Sequence, residues 1–210
     1  MRWPSGRAVP PWLPLALLLA LAPPPAAAAP DWLAQAQALE RRADWSGLLA
    51  WGQKWTEAEA DNALAWFVLG RALALRGRHQ EAIAAYRENL RLDPGDWYAH
   101  NNLGNVYRAT QRRREALDAY RAAVRAQPDY IPAWHNLGVT FYDLKGPAGV
   151  AEALRRLHAT DPGLAEAWRG LAIDYSLSRD PRVALAAIRI LRRLSDAERE
   201  RMFAILLTPP

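Results

Sequence analysis

A spacing of 34 residues organises most of this 210-residue chain. A leucine, the glycine that follows it and a later proline each recur at this interval. The leucine series consists of Leu69, Leu103, Leu137 and Leu171. Self-similarity at one fixed period is the signature of a tandem array, in which each unit buries its apolar face against its neighbours. The chain is therefore predicted to fold as a stack of similar units.

Each unit is predicted to contain two helices. The clearest copy lies within residues 97–130, where the first helix carries Gly104 and Tyr107 and the second carries Ala116 and Tyr120. A proline past the second helix then forces the chain into a new direction. One further slot holds tryptophan in most copies and histidine in the clearest one, in the series Trp32, Trp66, His100, Trp134 and Trp168.

These residues resemble the tetratricopeptide-repeat (TPR) family, whose pattern is W-x-x-L-G-x-x-Y followed by an alanine, an aromatic residue and a proline. The resemblance implies an all-α fold, a right-handed solenoid of helix-turn-helix repeats. Three clear repeats are expected between a degenerate first repeat and a degenerate fourth one, before a C-terminal capping helix and tail. The degenerate first repeat spans residues 29–62, and the three clear repeats span 63–164. The degenerate fourth repeat spans 165–194, and the capping helix and tail span 195–210.

The third clear repeat departs from the pattern. Val150 and Leu154 stand where a small residue and an aromatic residue are expected, which predicts altered packing between helices there. The repeated glycine is expected to let the two helices of one unit approach closely in all three clear repeats, at Gly70, Gly104 and Gly138.

The end of the array also carries a helix signal. Ser195 and Glu198 form a capping box, which predicts a last helix over residues 196–207. Its apolar side chains are expected to lie over the final repeat and to cover its exposed apolar side.

The first 28 residues are typical of a secretory signal peptide. Arg2 and Arg7 precede an apolar run over residues 12–22, and small residues form an A-x-A site that ends at Ala28. The alanine- and arginine-rich composition favours a bacterial source, which predicts a periplasmic or secreted protein. The alternative is a chain anchored by an uncleaved apolar segment, although that segment is shorter than the ~20 residues that span a bilayer.

Charge and motif content argue against several functions. The formal charge is +5, and removal of the leader leaves about +3, too dispersed to predict nucleic-acid binding. The chain has no cysteine, and none of its four histidines pairs with another at metal-binding spacing. No known catalytic or phosphate-binding motif is found. We therefore expect no enzyme activity, no cofactor, no metal site and no membrane span after signal cleavage.

Resemblance to TPR proteins implies a concave groove lined by the first helix of each repeat. Asn102 and Asn136 lie one period apart, and their amides can both donate to and accept from the backbone of an extended peptide. The predicted groove residues are Phe67, Val68, Arg71, Asn101, Asn102, Asn105, Arg108, His135, Asn136, Val139, Tyr142 and Arg169.

The sequence supports three functional hypotheses. The first is a non-enzymatic adaptor that binds an extended segment of a cell-envelope protein, for assembly of an envelope or secretion complex. A clamp for a peptide carboxylate is not expected, because Asn101, Glu166 and Gly170 stand where such a clamp needs basic residues. The second hypothesis is a glycan-binding protein that uses exposed aromatic residues, with Trp97 as the main candidate. The third is self-association through the ends of the array.

Overall fold

The computed structural model describes residues 30–174 and 180–207. The described residues form ten α-helices and no β-strand, which confirms the predicted all-α fold. In this part of the chain no helix is both long enough and apolar enough to cross a membrane. The predicted leader, residues 1–28, and the tail after residue 207 lie outside the described residues. The helices are α1 Trp32–Arg41, α2 Trp45–Ala58, α3 Ala63–Leu75, α4 His79–Leu92, α5 Trp97–Ala109, α6 Arg113–Ala126, α7 Ile131–Thr160, α8 Pro162–Arg169, α9 Pro181–Leu191 and α10 Asp196–Leu207.

The turn between the two helices of a unit repeats with the sequence. Ala43, Gly77 and Gln111 are spaced by the 34-residue period, and all three have a positive φ, of 52°, 73° and 62°. In the third clear unit the residue with a positive φ is instead Gly146, with φ 64° and ψ 173°. It lies one position later in the repeat than the other three. Pro147 follows it, at a helix start where its missing N–H is no loss. The long helix α7 is thereby broken into two arms, 131–145 and 147–160.

Helix starts are fixed by short side chains. The residue before the first helical turn accepts a hydrogen bond from a backbone N–H two or three residues later, which satisfies one of the unpaired donors at the start of a helix. Such caps are made by Asp31, Asp44, Asn62, Asp96, Asp161 and Asp180. Three of these six caps, Asn62, Asp96 and Asp161, lie in the loops where one unit follows another.

The tryptophan slot has a conserved geometry within the chain. The ring N–H groups of Trp66 and Trp134 donate to carbonyl oxygens six residues earlier, at 2.8 and 2.9 Å. In the same slot, Nε2 of His100 lies 3.0 Å from the carbonyl oxygen of Pro94, also six residues earlier. A histidine therefore replaces tryptophan here without loss of the hydrogen bond, provided that Nε2 carries the hydrogen.

The glycine series allows two helices to touch, as predicted, in the first two clear units. A Cβ atom at Gly70 would lie 2.9 Å from the ring of Tyr86, and one at Gly104 would lie 2.5 Å from the ring of Tyr120. These distances are shorter than carbon atoms can approach, so the contacts require glycine. The aromatic rings are fully buried and cannot move aside easily.

The third unit differs from this expectation. A Cβ atom at Gly138 would lie 2.7 Å from Leu171, which belongs to the next unit, rather than against the second helix of its own unit. The expected contact within the unit was therefore wrong at this position. The physical reason is that Leu154 replaces the tyrosine and has no ring to reach the glycine, so the first helix of the following unit fills the space.

The last helix forms over the predicted residues, and it packs on α7 and α8 and reaches back along the array. Phe203 packs between Trp134 on α7 and Trp168 on α8, at ring centroid distances of 6.2 and 6.5 Å. The Arg121 guanidinium, on α6, lies 5.0 Å from the same ring. Glu200 pairs with Arg121 and with Arg125, 75 residues away in sequence. α10 therefore contacts the second clear repeat through α6, the third clear repeat through α7 and the degenerate fourth repeat through α8.

The outer side of α9 is correspondingly less covered than expected. Leu185 and Ile190 on this helix are exposed. The ion pairs of Glu200 and the aromatic contacts of Phe203 hold α10 against α6, α7 and α8, and Leu185 and Ile190 on α9 stay uncovered.

Replacing Gly104 with alanine is expected to lower the free energy of unfolding by about 1–2 kcal/mol. Overpacking against Tyr120 costs about 1–3 kcal/mol, and the better helix propensity of alanine returns up to about 1 kcal/mol. Gly95→Ala is the matched control, because its Cβ would lie 3.5 Å from the nearest atom, an ordinary contact. Chemical denaturation of both variants tests this, and equal stability of the two would contradict it.

Replacing Glu200 with glutamine is expected to lower the free energy of unfolding by about 0.5–1 kcal/mol at neutral pH, as for a partly exposed ion pair. The hydrogen bond from Arg125 holds the pKa of Glu200 below its usual range. The ion pair therefore stabilises the fold fully above the ordinary glutamate pKa, and this contribution is lost as the pH falls through the lower pKa of the folded state. Denaturation curves at several pH values should show the variant and the wild type converging in acid. Glu88→Gln, which breaks only a local pair with Arg91, should show a smaller difference.

Candidate functional site

Two adjoining cavities lie along the first helices of the first two clear units, and both are lined by Arg71. The inner cavity, of about 300 Å³, is formed by α3, α4 and α5, and its polar lining includes His79, Asn102 and Asn105. The second, called here the rim pocket, has a volume of about 410 Å³. It is lined by Glu40, Leu64, Phe67, Arg71, Asp96 and Tyr98. Together the cavities form one candidate binding surface across α3 and α5.

Arg71 is held in place between the cavities. Its Nε lies 2.7 Å from a carboxylate oxygen of Glu40, which is on α1. Both side chains are partly exposed, so the pair contributes little to stability. Its importance lies in position and charge, because Glu40 orients the guanidinium and offsets its charge.

Asn102 offers a hydrogen-bond donor to the inner cavity. Its Nδ2 atom is buried near the Tyr86 hydroxyl but makes no hydrogen bond of normal distance and angle. Leaving a buried amide N–H unpaired costs about 1–3 kcal/mol. A ligand carbonyl group would remove that cost if a side-chain rotation brought this buried nitrogen to the cavity surface.

The other asparagines of the predicted groove bond to one another. Asn136 Nδ2 lies 3.0 Å from Asn101 Oδ1 and 3.3 Å from Asn105 Oδ1. Asn105 Oδ1 also accepts from the Tyr120 hydroxyl at 2.8 Å. Burial raises the pKa of Tyr120, so the hydroxyl keeps its proton and remains a donor. These residues link α5, α6 and α7, and Asn136 therefore has its donor engaged within the protein.

Three residues predicted for the groove are buried instead. Val68 is only 5% exposed and packs in the core with α1 and α2, while Val139 is only 3% exposed. Asn101 is buried as well. The side chains of all three therefore lie inside the array rather than on the surface of the groove.

The remaining predicted residues lie outside the two cavities. Arg108, His135 and Tyr142 are partly buried along α5 and α7. Arg169 is exposed but pairs with Glu166 at 2.9 Å and with Asp174 at 2.8 Å. Of the twelve predicted residues, those that line the cavities are Phe67, Arg71, Asn102 and Asn105.

Tyr98 is not among the groove residues predicted from the sequence, although the 34-residue period indicates it. It lies one period after Leu64, and both residues project from the second position of a first helix into the rim pocket. Trp97, the aromatic residue expected to be exposed, is half-buried against Tyr98 and Tyr130, at centroid distances of 4.0 and 4.4 Å. Tyr98 is 46% exposed and is therefore the accessible member of this cluster.

Charge is divided between the two edges of the array. The loops that join one unit to the next carry acidic residues, whereas the turns within units carry basic ones. The acidic set is Glu59, Asp61, Asp93, Asp96 and Asp129, and the basic set is Arg76, Arg78, Arg112, Arg113 and Arg114. Hydrogen bonds from Trp55 and Asn62 hold the pKa of Glu59 below its usual range, so this group is charged at neutral pH. The rim pocket opens at the acidic edge.

Metal binding has no candidate site in the part of the chain that the structure describes. No group of three or more histidine, aspartate or glutamate side chains is close enough there to hold an ion. The cavities present an amide donor, apolar and aromatic surface, and fixed charges. This combination suits non-covalent binding of a flexible polar ligand.

Comparison with known proteins supports the repeat assignment. A family model described as TPR repeat matches residues 70–111 and 104–145. No curated protein sequence matches the chain. Among solved structures, the Thermobaculum terrenum O-GlcNAc transferase K341M mutant is 27% identical over 53% of this chain, with a TM-score of 0.51. This chain covers only 21% of that protein.

Two further structures resemble the chain over more of its length. MamA (residues 41 to the end) from Desulfovibrio magneticus RS-1 is 23% identical, with 81% of this chain and 93% of that one covered and a TM-score of 0.53. YrrB, described as a TPR protein with an unusual peptide-binding site, is 20% identical, with coverages of 81% and 89% and a TM-score of 0.51. At these identities the likeness establishes the fold alone.

Asn136 and Asn102 are expected to differ in their effect on stability. Asn136→Ala removes a donor used by two buried or partly buried acceptors and should lower the free energy of unfolding by about 1–2 kcal/mol. Asn102→Ala removes a poorly paired buried amide nitrogen, which raises stability, and some packing contacts, which lowers it, so the net change should be less than about 0.5 kcal/mol. Urea denaturation of both variants measures the difference. A larger loss for Asn102→Ala would show that this side chain serves packing rather than binding.

Proposed function

We propose that this chain, which matches the TPR-repeat model over residues 70–145 and has an all-α solenoid fold, is a non-enzymatic scaffold that binds an extended segment of another protein. The observation that carries the proposal is the unpaired amide nitrogen of Asn102, which points to a missing acceptor in the cavity beside Arg71. A peptide backbone supplies such an acceptor at every residue. One neighbour of the same fold, YrrB, is described as having a peptide-binding site, which agrees with this kind of ligand.

The proposed binding surface is the face formed by α3 and α5. A backbone carbonyl of the segment accepts a hydrogen bond from Asn102 in the inner cavity. One side chain of the segment enters the rim pocket and covers Leu64, Phe67 and Tyr98. A few well-placed contacts of this type supply most of the affinity in a protein interface, so a short segment is sufficient.

The proposed partner is a protein of the cell envelope, and the proposed role is assembly of an envelope or secretion complex. The support is the leader, residues 1–28, whose basic start, apolar run and A-x-A site are typical of exported proteins. The mature chain would then act in the periplasm or outside the cell.

Capture of a partner tests the proposal. The full coding sequence is expressed with a C-terminal affinity tag, and proteins retained from envelope extract are compared between the wild type and Asn102→Ala/Tyr98→Ala. Loss of one hydrogen bond and one aromatic contact is expected to reduce retention of a distinct partner by at least about tenfold. The matched control is Leu185→Ala/Ile190→Ala, which alters exposed apolar residues on α9 and should retain the partner.

Direct contact is established with a photo-crosslinking residue. Placed at Tyr98, it should link to one segment of the partner, and placed at Leu185 it should not. If the α9 variant loses the partner and the α3–α5 variant keeps it, binding occurs through the end of the array and the proposal is wrong. Retention of wall glycan instead of protein, lost with Tyr98→Ala, would also contradict it.

A further inference from the structure

One side of the rim pocket is lined by apolar side chains that are exposed to solvent. Leu64 is 39% exposed and Tyr98 is 46% exposed, and Phe67 lies edge-on to Tyr98 at a centroid distance of 6.5 Å. These side chains come from the starts of two successive first helices and form one continuous surface. Clustered exposed apolar side chains mark sites of interaction.

A carboxylate is fixed beside this wall. Asp96 accepts from the Ala99 backbone N–H at 3.0 Å and from Asn89 Nδ2 at 3.0 Å, one bond to each oxygen. Asn89 is fully buried and also donates to the Ala63 carbonyl at 2.9 Å. The start of α5 is thereby tied to the start of α3. Each carboxylate oxygen keeps a free lone pair for a further donor.

The balance of charge at the pocket is negative. Arg71 is offset by Glu40, which leaves Asp96 as the uncompensated charge in the lining. Asp61 and Asp93, in the two loops that lead into α3 and α5, are exposed and add to the negative potential of this edge. An acidic side chain would be repelled here, and a wholly apolar one would bury the charge of Asp96 without an opposite charge beside it.

Resting on the proposed function, we infer that the rim pocket binds a lysine or arginine side chain of the bound segment. Such side chains combine an apolar stem with a charged end. The stem covers Leu64 and Phe67, the cation reaches Asp96, and the Tyr98 ring face adds a cation–π contact. The segment recognised by this scaffold is therefore cationic at one position, and a peptide carboxylate is excluded from the pocket by charge.

Selection from a random twelve-residue peptide library displayed on phage tests the inference with the full chain as bait. Peptides enriched on the wild type should share a lysine or arginine. A synthetic copy of the best peptide should bind Asp96→Asn about fivefold more weakly, as expected for loss of one partly exposed ionic contact. Its affinity for the wild type should fall as salt is raised.

The variants are chosen to preserve the fold. Asparagine is as good a helix cap as aspartate, so Asp96→Asn keeps the hydrogen bond from the Ala99 N–H while it removes the charge and the acceptor for Asn89, and a denaturation curve checks that the fold is retained. Tyr98→Lys changes an exposed residue, places a cation at the pocket and should abolish binding of the same peptide. Asp93→Asn is the matched control, since it removes an acid from the same loop outside the pocket and should change affinity less than twofold.

The outcomes separate the inference from the proposed function. Enriched peptides that lose affinity for Asn102→Ala but contain no lysine or arginine would overturn the inference and leave groove binding intact. Equal loss with Asp93→Asn and Asp96→Asn would attribute binding to diffuse charge and also overturn it. If no peptide is enriched, or if Asn102→Ala leaves binding unchanged, both the inference and the proposed function fail.

Discussion

The close approach of a glycine in one helix to a tyrosine ring in the next determines much of this structure. At Gly104 the ring of Tyr120 lies against the backbone itself, so the two helices have a single spacing at which they pack. The ring also places its hydroxyl against Asn105, which in turn accepts from Asn136. The packing of Gly104 against Tyr120 in the core therefore also sets the positions of Asn105 and Asn136 on the concave face.

The consequence for the concave face is a division into two parts. Toward α7 the asparagines satisfy one another and form a rigid internal network. Toward α3 the amide nitrogen of Asn102 lies by the Tyr86 hydroxyl without a hydrogen bond of normal geometry, in the cavity that Arg71 also lines. Binding energy is best gained where polar groups are not yet paired, because no existing bond must be broken first. The α3–α5 part is for that reason the better ligand site.

Much of the fold is predictable from the sequence, because the 34-residue period reports contacts between neighbouring helices. It predicts the close contact at Gly104, whereas the capping box at Ser195 predicts the last helix over residues 196–207, and the structure agrees with both. It does not predict the pair between Arg125 and Glu200, which lie 75 residues apart and in no common register. Within the site, the period predicts which residues lie on the first helices. Whether an asparagine such as Asn136 can bond a ligand depends on the side chains of the neighbouring helix. A repeat pattern does not show which of those side chains already bond to it.

The long-range attachment of α10 gives the two halves of the array different folding behaviour. Repeat proteins ordinarily fold through contacts between adjacent units, so structure can form as the chain is made. Here Trp134 receives its partner Phe203 only when the last helix is complete. Contacts of large sequence separation slow folding because a long loop must close first. The first clear repeat can therefore form early, whereas the helices from α6 onward gain their last contacts only when α10 packs against them.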